Sequence, residues 1–164
     1  MKIGVVSDIH SNILALEAVF NKFKEENVDK VIGIGDIVGI GPYPEKCVQF
    51  LIDNQDKILT LVRGNHEKYL LYGIPNQNHN DKNARPLTDE EKSTHAWNHS
   101  RVSEEQRKYI DSLKMRDVVE IEGKKIVVEH YPMNENNVFK TFIKLVKKVI
   151  TPSLAPNIVN PHPN

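Results

Sequence analysis

The sequence predicts an α/β fold built as a single domain. Over the first 62 residues, three apolar runs rich in Val and Ile alternate with two amphipathic segments, and this alternation is typical of βαβ units with parallel strands. Each apolar run leads into a turn that contains an acid, a histidine or both. With 164 residues, the chain can bury one hydrophobic core of ordinary size.

The first βαβ unit covers residues 3–34. Residues 3–6 and 28–34 are the two strand-like runs, and residues 14–23 between them form an amphipathic segment. The apolar side chains of that segment follow the i, i+3, i+4, i+7 spacing of one helix face, at Leu16, Val19, Phe20 and Phe23. Ser11 or Asn12 is expected to cap this helix, because short polar side chains accept hydrogen bonds from the first turn.

A second helix and a third strand follow. Pro44 suits the first position of a helix, and the single cysteine, Cys47, lies among apolar residues at helical spacing. We therefore expect Cys47 to be a core thiol rather than a nucleophile. The third strand is predicted over residues 58–62, which run into a Gly-Asn-His-Glu block at 64–67.

The rest of the chain predicts helices, a hairpin and a tail. Residues 73–86 lack periodicity and predict a loop, while Thr88 and Ser103 open two predicted capping boxes. Residues 118–121 and 125–128 flank a glycine-containing turn, which is typical of a β-hairpin. Helical spacing returns over 139–150, and 151–164 form a proline-rich extended tail. The predicted domain is 1–150, with a helical insert at 73–113.

Polar side chains stand at four predicted strand ends. They are Asp8 and His10, Asp36, Asn65 and His66, and His130. Because ligands collect at the carboxyl ends of parallel strands, this repeated placement predicts a functional site there. Carboxylate and imidazole ligands suit manganese, iron, zinc or nickel better than an all-oxygen magnesium or calcium site.

Other histidines fit this site less well. His95 and His99 are four residues apart on a predicted helix, a spacing that can bind zinc, but no third ligand lies at a telling distance. We interpret them, together with His79, as surface histidines. His162 lies between two prolines, which argues against a strand-end ligand.

Composition excludes several classes of partner. The chain has 22 basic and 22 acidic residues, so its net charge predicts neither a stable nucleic-acid complex nor a membrane surface. The sequence also shows no signal peptide and no apolar stretch near the ~20 residues that cross a bilayer. We expect a cytoplasmic protein with a small-molecule substrate.

Three ordered blocks resemble the calcineurin-like metallophosphoesterase superfamily. They are Asp8-Ile-His10, Gly35-Asp36-Ile-Val-Gly39 and Gly64-Asn65-His66-Glu67, and the extended string through Pro42 is similar to the small prokaryotic branch. The resemblance implies a double-sheet α/β sandwich with flanking helices. It also implies two divalent metal ions, with Mn²⁺ as the first choice and iron, zinc and nickel as alternatives.

The resemblance also implies roles for the residues of these blocks. Asp8 and His10 would hold one metal ion, Asp36 would bridge both, and Asn65 with His130 would hold the second. His66 would be left as a general acid. A water between the two ions loses a proton near neutral pH, and the resulting bridging hydroxide could attack a phosphoester in line with its leaving group.

Two departures from the family pattern affect these expectations. Tyr131 and Pro132 follow His130 where the family has smaller residues, and the sequence contains no Gly-His-x-His block. We therefore expect an incomplete second sheet, and its exposed edge could support a homodimer. The leading hypothesis is a metal-dependent phosphoesterase for a phosphomonoester, phosphodiester or dinucleoside polyphosphate. The alternative is a truncated or non-catalytic protein of the same fold that acts as a binding or regulatory module.

Overall fold

A parallel three-stranded sheet brings the strand-end loops to one edge. The computed structural model of the protein describes residues 1–74 and 87–131. The sheet contains β1 (Ile3–Val6), β2 (Lys30–Gly33) and β3 (Ile58–Leu61), in that spatial order. Both strand pairs are parallel, so all three carboxyl ends point the same way.

Two helices connect these strands as the sequence predicts. Helix α1 (Ile13–Glu25) begins after Asn12, whose side chain accepts a hydrogen bond from the backbone N–H of Ala15 at 3.1 Å. Helix α2 (Pro44–Asp53) has its proline at the first position. The helix caps and the proline thus fix where each crossover turns back onto the sheet.

Three further helices follow β3. Helix α3 (Asn65–Tyr72) begins within the Gly-Asn-His-Glu block, so Asn65 and His66 lie in its first turn. Helices α4 (Asp89–Ser100) and α5 (Glu104–Ser112) begin at the predicted capping boxes of Thr88 and Ser103, and both boxes are formed. These capping predictions are confirmed.

The second sheet is an antiparallel hairpin of β4 (Arg116–Ile121) and β5 (Lys124–Glu129). The two turn residues, Glu122 and Gly123, have φ values of 51° and 74°, as a tight hairpin turn requires. Within the described residues this sheet has two strands; the expectation of an incomplete second sheet also concerns residues 132–164, which lie outside the described residues, and it stays a prediction.

Two apolar clusters make up the core. One joins the parallel sheet to the helices around Leu16, Ile37, Leu51 and Ile110, and the other joins the two sheets through Ile32, Val62, Val119, Ile121 and Val128. The double-sheet α/β architecture is therefore present. Cys47 is fully buried, and burial raises the pKa of its thiol to about 12, which confirms a core role.

Several predictions lie outside the described residues. The chain divides into residues 1–131 and residues 132–164, and the structure describes the first of these apart from 75–86. The predicted boundary at residue 150, the helix over 139–150, the tail at 151–164, His79 and His162 thus remain predictions. Among the helices that are described, none has the length and apolar character needed to span a membrane.

Candidate metal centre

The loops after β1 and β2 hold an unusual backbone conformation. Asp8, His10, Ser11 and Asp36 have φ values of 54°, 46°, 59° and 53°, a region that costs a non-glycine residue roughly 1–3 kcal/mol. Three hydrogen bonds between the two loops hold this conformation. The N–H groups of Asp8, His10 and Ser11 donate, in that order, to the carbonyl oxygens of Gly35, Asp36 and Ile37, at 3.1, 2.9 and 2.9 Å. Strain of this kind concentrates at functional sites.

Asp36 is the hub of the site. Its side-chain atom Oδ2 lies 3.3 Å from Nε2 of His130, 3.8 Å from Nε2 of His10 and 4.0 Å from Nε2 of His66. Its Oδ1 accepts the backbone N–H of His66 at 3.1 Å. Three imidazoles from three separate segments of the chain, the loop after β1, the first turn of α3 and the end of β5, therefore converge on one buried carboxylate.

Space for this carboxylate depends on Gly64. A Cβ atom at residue 64 would lie 2.1 Å from Oδ1 of Asp36, so any side chain there would displace the hub. Glycine is thus required at residue 64, because the backbone there lies too close to Asp36 for a side chain to fit.

Asp8 forms the open side of the site. Its side chain is 58% exposed, and Oδ1 lies 3.8 Å from Nε2 of His10. The hydroxyl of Ser7 donates a hydrogen bond to Oδ2. Asp8 and His10 are therefore neighbours at the solvent-facing side of the site, and their sharing of one metal ion stays a prediction.

His130 is oriented as a metal ligand. Its Nδ1 contacts the carbonyl oxygen of Ile34 at 2.6 Å, and since a carbonyl can only accept, Nδ1 carries the proton. In the neutral imidazole the lone pair is then on Nε2, the buried ring nitrogen that lies 3.3 Å from Oδ2 of Asp36. A carbonyl that fixes the tautomer in this way is a common support for metal-binding histidines.

The pKa values of this pair reflect competing effects. Burial lowers the pKa of His130, but contact with Asp36 and the bond to Ile34 outweigh it, so the pKa is raised. Burial likewise raises the pKa of Asp36, but His130 and the backbone N–H of His66 hold it below its ordinary value. Asp36 is accordingly a carboxylate at neutral pH, the form that can bridge cations.

Asn65 lies beside the site and is held by a neighbour. The hydroxyl of Tyr131 donates a hydrogen bond to its Oδ1 at 2.7 Å, and the Tyr131 ring packs 4.2 Å from that of His130, centroid to centroid. An amide oxygen has a second lone pair, so this bond orients Asn65 without preventing ligation. Tyr131 thus supports two of the proposed ligands.

The donor set fits divalent metal ions. Two groups have ligand atoms close enough to surround an ion, His10 with Asp36 and His66, and Asp8 with Asp36 and His130. Asp36 is common to both, which is the property required of a bridging residue. The residues therefore fit the mixed oxygen and nitrogen coordination that manganese, iron, zinc and nickel accept.

Glu67 holds the Asp36 loop in place, a role that the sequence did not reveal. The side chain is fully buried, and its two oxygens accept the backbone N–H groups of Asp36, Ile37, Val38 and Gly64 at 2.9, 2.7, 3.0 and 2.7 Å. Burial raises the pKa of Glu67, and the bonds from Val38 and Gly64 oppose that rise. The sequence feature that could have pointed to this role is the position of Glu67 in the Gly-Asn-His-Glu block.

Asn98 connects helix α4 to both loops and was also missed. It is fully buried; its Oδ1 accepts the N–H of Gly39 at 3.0 Å, while its Nδ2 donates to Gly41 at 2.8 Å and to Ser11 Oγ at 3.1 Å. Nothing in the polar sequence around it distinguishes Asn98 from a surface residue. The predicted helical insert therefore contributes directly to the architecture of the site.

His95 and His99 are not surface residues, and that prediction was wrong. His95 is 8% exposed, and the centroid of its ring lies 5.1 Å from that of His66. On the other side, the His95 ring lies 5.6 Å from that of His99, centroid to centroid. Helix α4 packs this face toward the site because Asn98 anchors it there. Neither histidine belongs to a group of ligand atoms close enough for a metal within residues 1–74 and 87–131.

Burial keeps the imidazoles of His66 and His99 neutral at neutral pH. It lowers the pKa of His66 to about 4, although Asp36 opposes the shift. It also lowers the pKa of His99 to about 4, with His95, Arg107 and His66 acting in the same direction. A histidine that is neutral when folded but protonated when unfolded couples stability to pH.

We expect the metal-free protein to lose stability in acid, in part through His99. Between the ordinary histidine pKa of 6.5 and the folded value of about 4, the unfolded chain binds more protons, so the free energy of unfolding falls as pH is lowered. For His99 alone the loss is on the order of 2 kcal/mol by pH 4.5. Urea denaturation from pH 7.5 to 4.5 tests this.

His99→Phe is the matched variant, since it keeps a ring against His95 but cannot titrate. Its stability should fall less steeply over the same pH range than that of the unmodified chain. Identical slopes would show that His99 is not held neutral by the fold.

Comparisons with known proteins identify the family to which the chain belongs. A sequence model described as calcineurin-like phosphoesterase matches residues 1–151. An uncharacterized protein of Methanocaldococcus jannaschii is 34% identical over 128 residues, which are 78% of this chain and 48% of that protein. The chain thus spans about half the length of this curated relative.

Two solved structures are similar. A metallophosphoesterase from Sphaerobacter thermophilus aligns at 28% identity with a TM-score of 0.54, covering 73% of this chain and 44% of that one. A hypothetical protein from Pyrococcus horikoshii OT3 shares the fold at 24% identity with a TM-score of 0.63, covering 76% and 52%. With the matched family model and the strand-end residues in place, this chain belongs to the calcineurin-like phosphoesterase family.

Proposed function

We propose that the protein hydrolyses a phosphoester with the help of two divalent metal ions, for which manganese is the first choice. The observation that carries the proposal is the buried carboxylate of Asp36, which lies within 3.3–4.0 Å of imidazoles from three different segments of the chain. In this proposal Asp8, His10, Asp36, Asn65 and His130 hold the metal ions. When bound, such ions offset the charge of the phosphoryl group and lower the pKa of water enough for it to act as a nucleophile at neutral pH.

The protein's own residues prepare this reaction. Glu67 and the inter-loop hydrogen bonds fix Asp36 before any ligand arrives, so little reorganisation is needed on binding. Asp8 is the exposed member of the set and marks the side from which the substrate enters. Candidate substrates are phosphomonoesters, phosphodiesters and dinucleoside polyphosphates.

His66 is proposed to protonate the leaving oxygen. Its ring lies beside the hub, with Nε2 4.0 Å from Asp36 Oδ2, and its backbone N–H is bonded to the same carboxylate. The imidazole is neutral in the free protein, since its pKa is about 4. The negative charge of a bound phosphoester would favour the protonated form, because an opposite charge at ~4–6 Å raises the pKa of an imidazole.

The first experiment is hydrolysis of bis(p-nitrophenyl) phosphate with added manganese and with a chelator. The proposal predicts turnover that requires the metal. Manganese binding without turnover across a wide concentration range would favour the alternative of a non-catalytic binding module. Absence of both would overturn the metal site itself.

We expect His66→Ala to affect substrates according to their leaving groups. For an alkyl phosphoester, which needs a proton on departure, kcat/KM should fall roughly 10²–10⁴-fold. For a p-nitrophenyl ester the loss should be far smaller, because p-nitrophenolate leaves without protonation. Equal losses on both substrates would contradict the general-acid role and indicate that His66 binds metal with His10 and Asp36.

A further inference from the structure

A cavity of about 500 Å³ opens beside the candidate metal centre. Asp8 and His10 belong to its lining, so the cavity is continuous with the site where a phosphoryl group would bind. The remaining wall is largely apolar and includes Leu14, Ile40, Pro42 and Tyr43. Nothing in the proposed hydrolysis itself requires this wall.

The apolar side chains of the wall are open to solvent. Leu14 is 69% exposed, Ile40 66% and Tyr43 37%. A single exposed apolar residue is ordinary in proteins, but several that converge on a concavity indicate a binding surface. Here they converge next to the ligands of a reaction centre.

The loop that carries Ile40 is held rigidly. Asn98 accepts the N–H of Gly39 and donates to the carbonyl of Gly41, so both neighbours of Ile40 are fixed by one buried side chain. The N–H of Gly41 also donates a hydrogen bond to the backbone carbonyl oxygen of His10 at 2.9 Å. Ile40 is therefore presented on a preorganised backbone, which reduces the entropy lost when a ligand binds.

The polar groups of the cavity favour a neutral occupant. Asp8 is the acid among the lining residues, and its carboxylate belongs to the candidate metal centre. Asn12 uses its Oδ1 to cap α1, which leaves its amide N–H groups to offer to a ligand. Tyr43 supplies an aromatic ring restrained by Lys46, whose ammonium lies 4.9 Å from the ring centroid.

We propose that this cavity is a subsite for a neutral, planar aromatic ring on the ester arm that stays attached to phosphorus when the leaving group departs. The ring would contact Ile40, Leu14 and Tyr43 while the phosphoryl group reaches Asp8 and His10. This inference rests on the proposed hydrolysis and narrows its substrate class to phosphoesters whose retained arm is an aryl group or a nucleoside.

The test compares two diesters that share one leaving group. Thymidine 5′-(p-nitrophenyl) phosphate carries a planar ring on its second arm, whereas methyl p-nitrophenyl phosphate does not. In Ile40→Ser or Tyr43→Ala, the ratio of kcat/KM for the thymidine ester to that for the methyl ester should fall about tenfold, mainly through KM. Using each variant's ratio cancels the intrinsic reactivity of the substrates.

Ile126→Ser is the control, because Ile126 is another solvent-exposed isoleucine, on β5 and outside the lining of the cavity. Its ratio should equal that of the unmodified protein. A ratio that does not change in Ile40→Ser and Tyr43→Ala, or that falls equally in the control, overturns the subsite.

Calorimetric binding of thymidine 5′-monophosphate and of methyl phosphate in manganese separates the two proposals. If neither diester is hydrolysed but thymidine monophosphate binds more tightly than methyl phosphate, and Ile40→Ser removes the difference, then hydrolysis fails and the subsite holds. If hydrolysis occurs with no preference in binding or in kcat/KM, the subsite fails and hydrolysis holds.

Discussion

Asp36→Asn should abolish manganese-dependent hydrolysis and weaken manganese binding more than any other single substitution at the site. The amide keeps the size of the carboxylate and can still accept the N–H of His66, but it lacks the negative charge that a bridge between two cations needs. Metal ions supply several kcal/mol of transition-state stabilisation, so we expect kcat/KM to fall roughly 10³-fold or more. Calorimetric titration with manganese and diester hydrolysis measure the two effects.

Asp56→Asn provides the matched control, because Asp56 is exposed at the turn before β3. It should bind manganese and turn over as the unmodified chain does. Unchanged manganese affinity in Asp36→Asn would place the metal elsewhere and contradict the candidate centre.

Glu67→Gln should lower the free energy of unfolding more than any other single substitution at the site. Each carboxylate oxygen of Glu67 accepts two backbone N–H groups, so an amide nitrogen in either position would face two donors, and turning the amide over cannot relieve this. Buried donors without acceptors cost about 1–3 kcal/mol each, and we expect a loss of roughly 3–5 kcal/mol. Urea denaturation of the metal-free protein measures it.

Glu17→Gln is the comparison for this variant. Glu17 is an exposed residue of α1, and its replacement should change the free energy of unfolding by less than about 0.5 kcal/mol. Should Glu67→Gln and Glu17→Gln prove equally stable, Glu67 would not anchor the loop as the hydrogen bonds indicate.

The sequence predicted where the candidate ligands lie in the fold better than it predicted the residues that support them. Asp8, His10, Asp36 and His66 follow parallel strands, and that topology alone brings strand ends to one edge. His130 follows the hairpin, and the packing of the two sheets through Val62 and Val128 brings it in.

The supports depend on tertiary contacts that have no local signature. Asn98 bonds to Ser11 across 87 positions of sequence, and within a polar helix it resembles a solvated residue. His95 was misread for the same reason, since the side chains around it on α4 are mostly polar. Burial of one helix face against a loop cannot be inferred when that face lacks an apolar stripe.

Asn98 also sets an order in which the centre can be completed. During synthesis the loops containing Ser11, Gly39 and Gly41 leave the ribosome well before residue 98, so their amide and carbonyl groups then lack this partner. The left-handed residues of those loops are thus held by fewer bonds until α4 docks. The candidate metal centre would be among the last parts of this unit to reach its final conformation, and loss of the α4 contact would loosen its loops before it affects the parallel sheet.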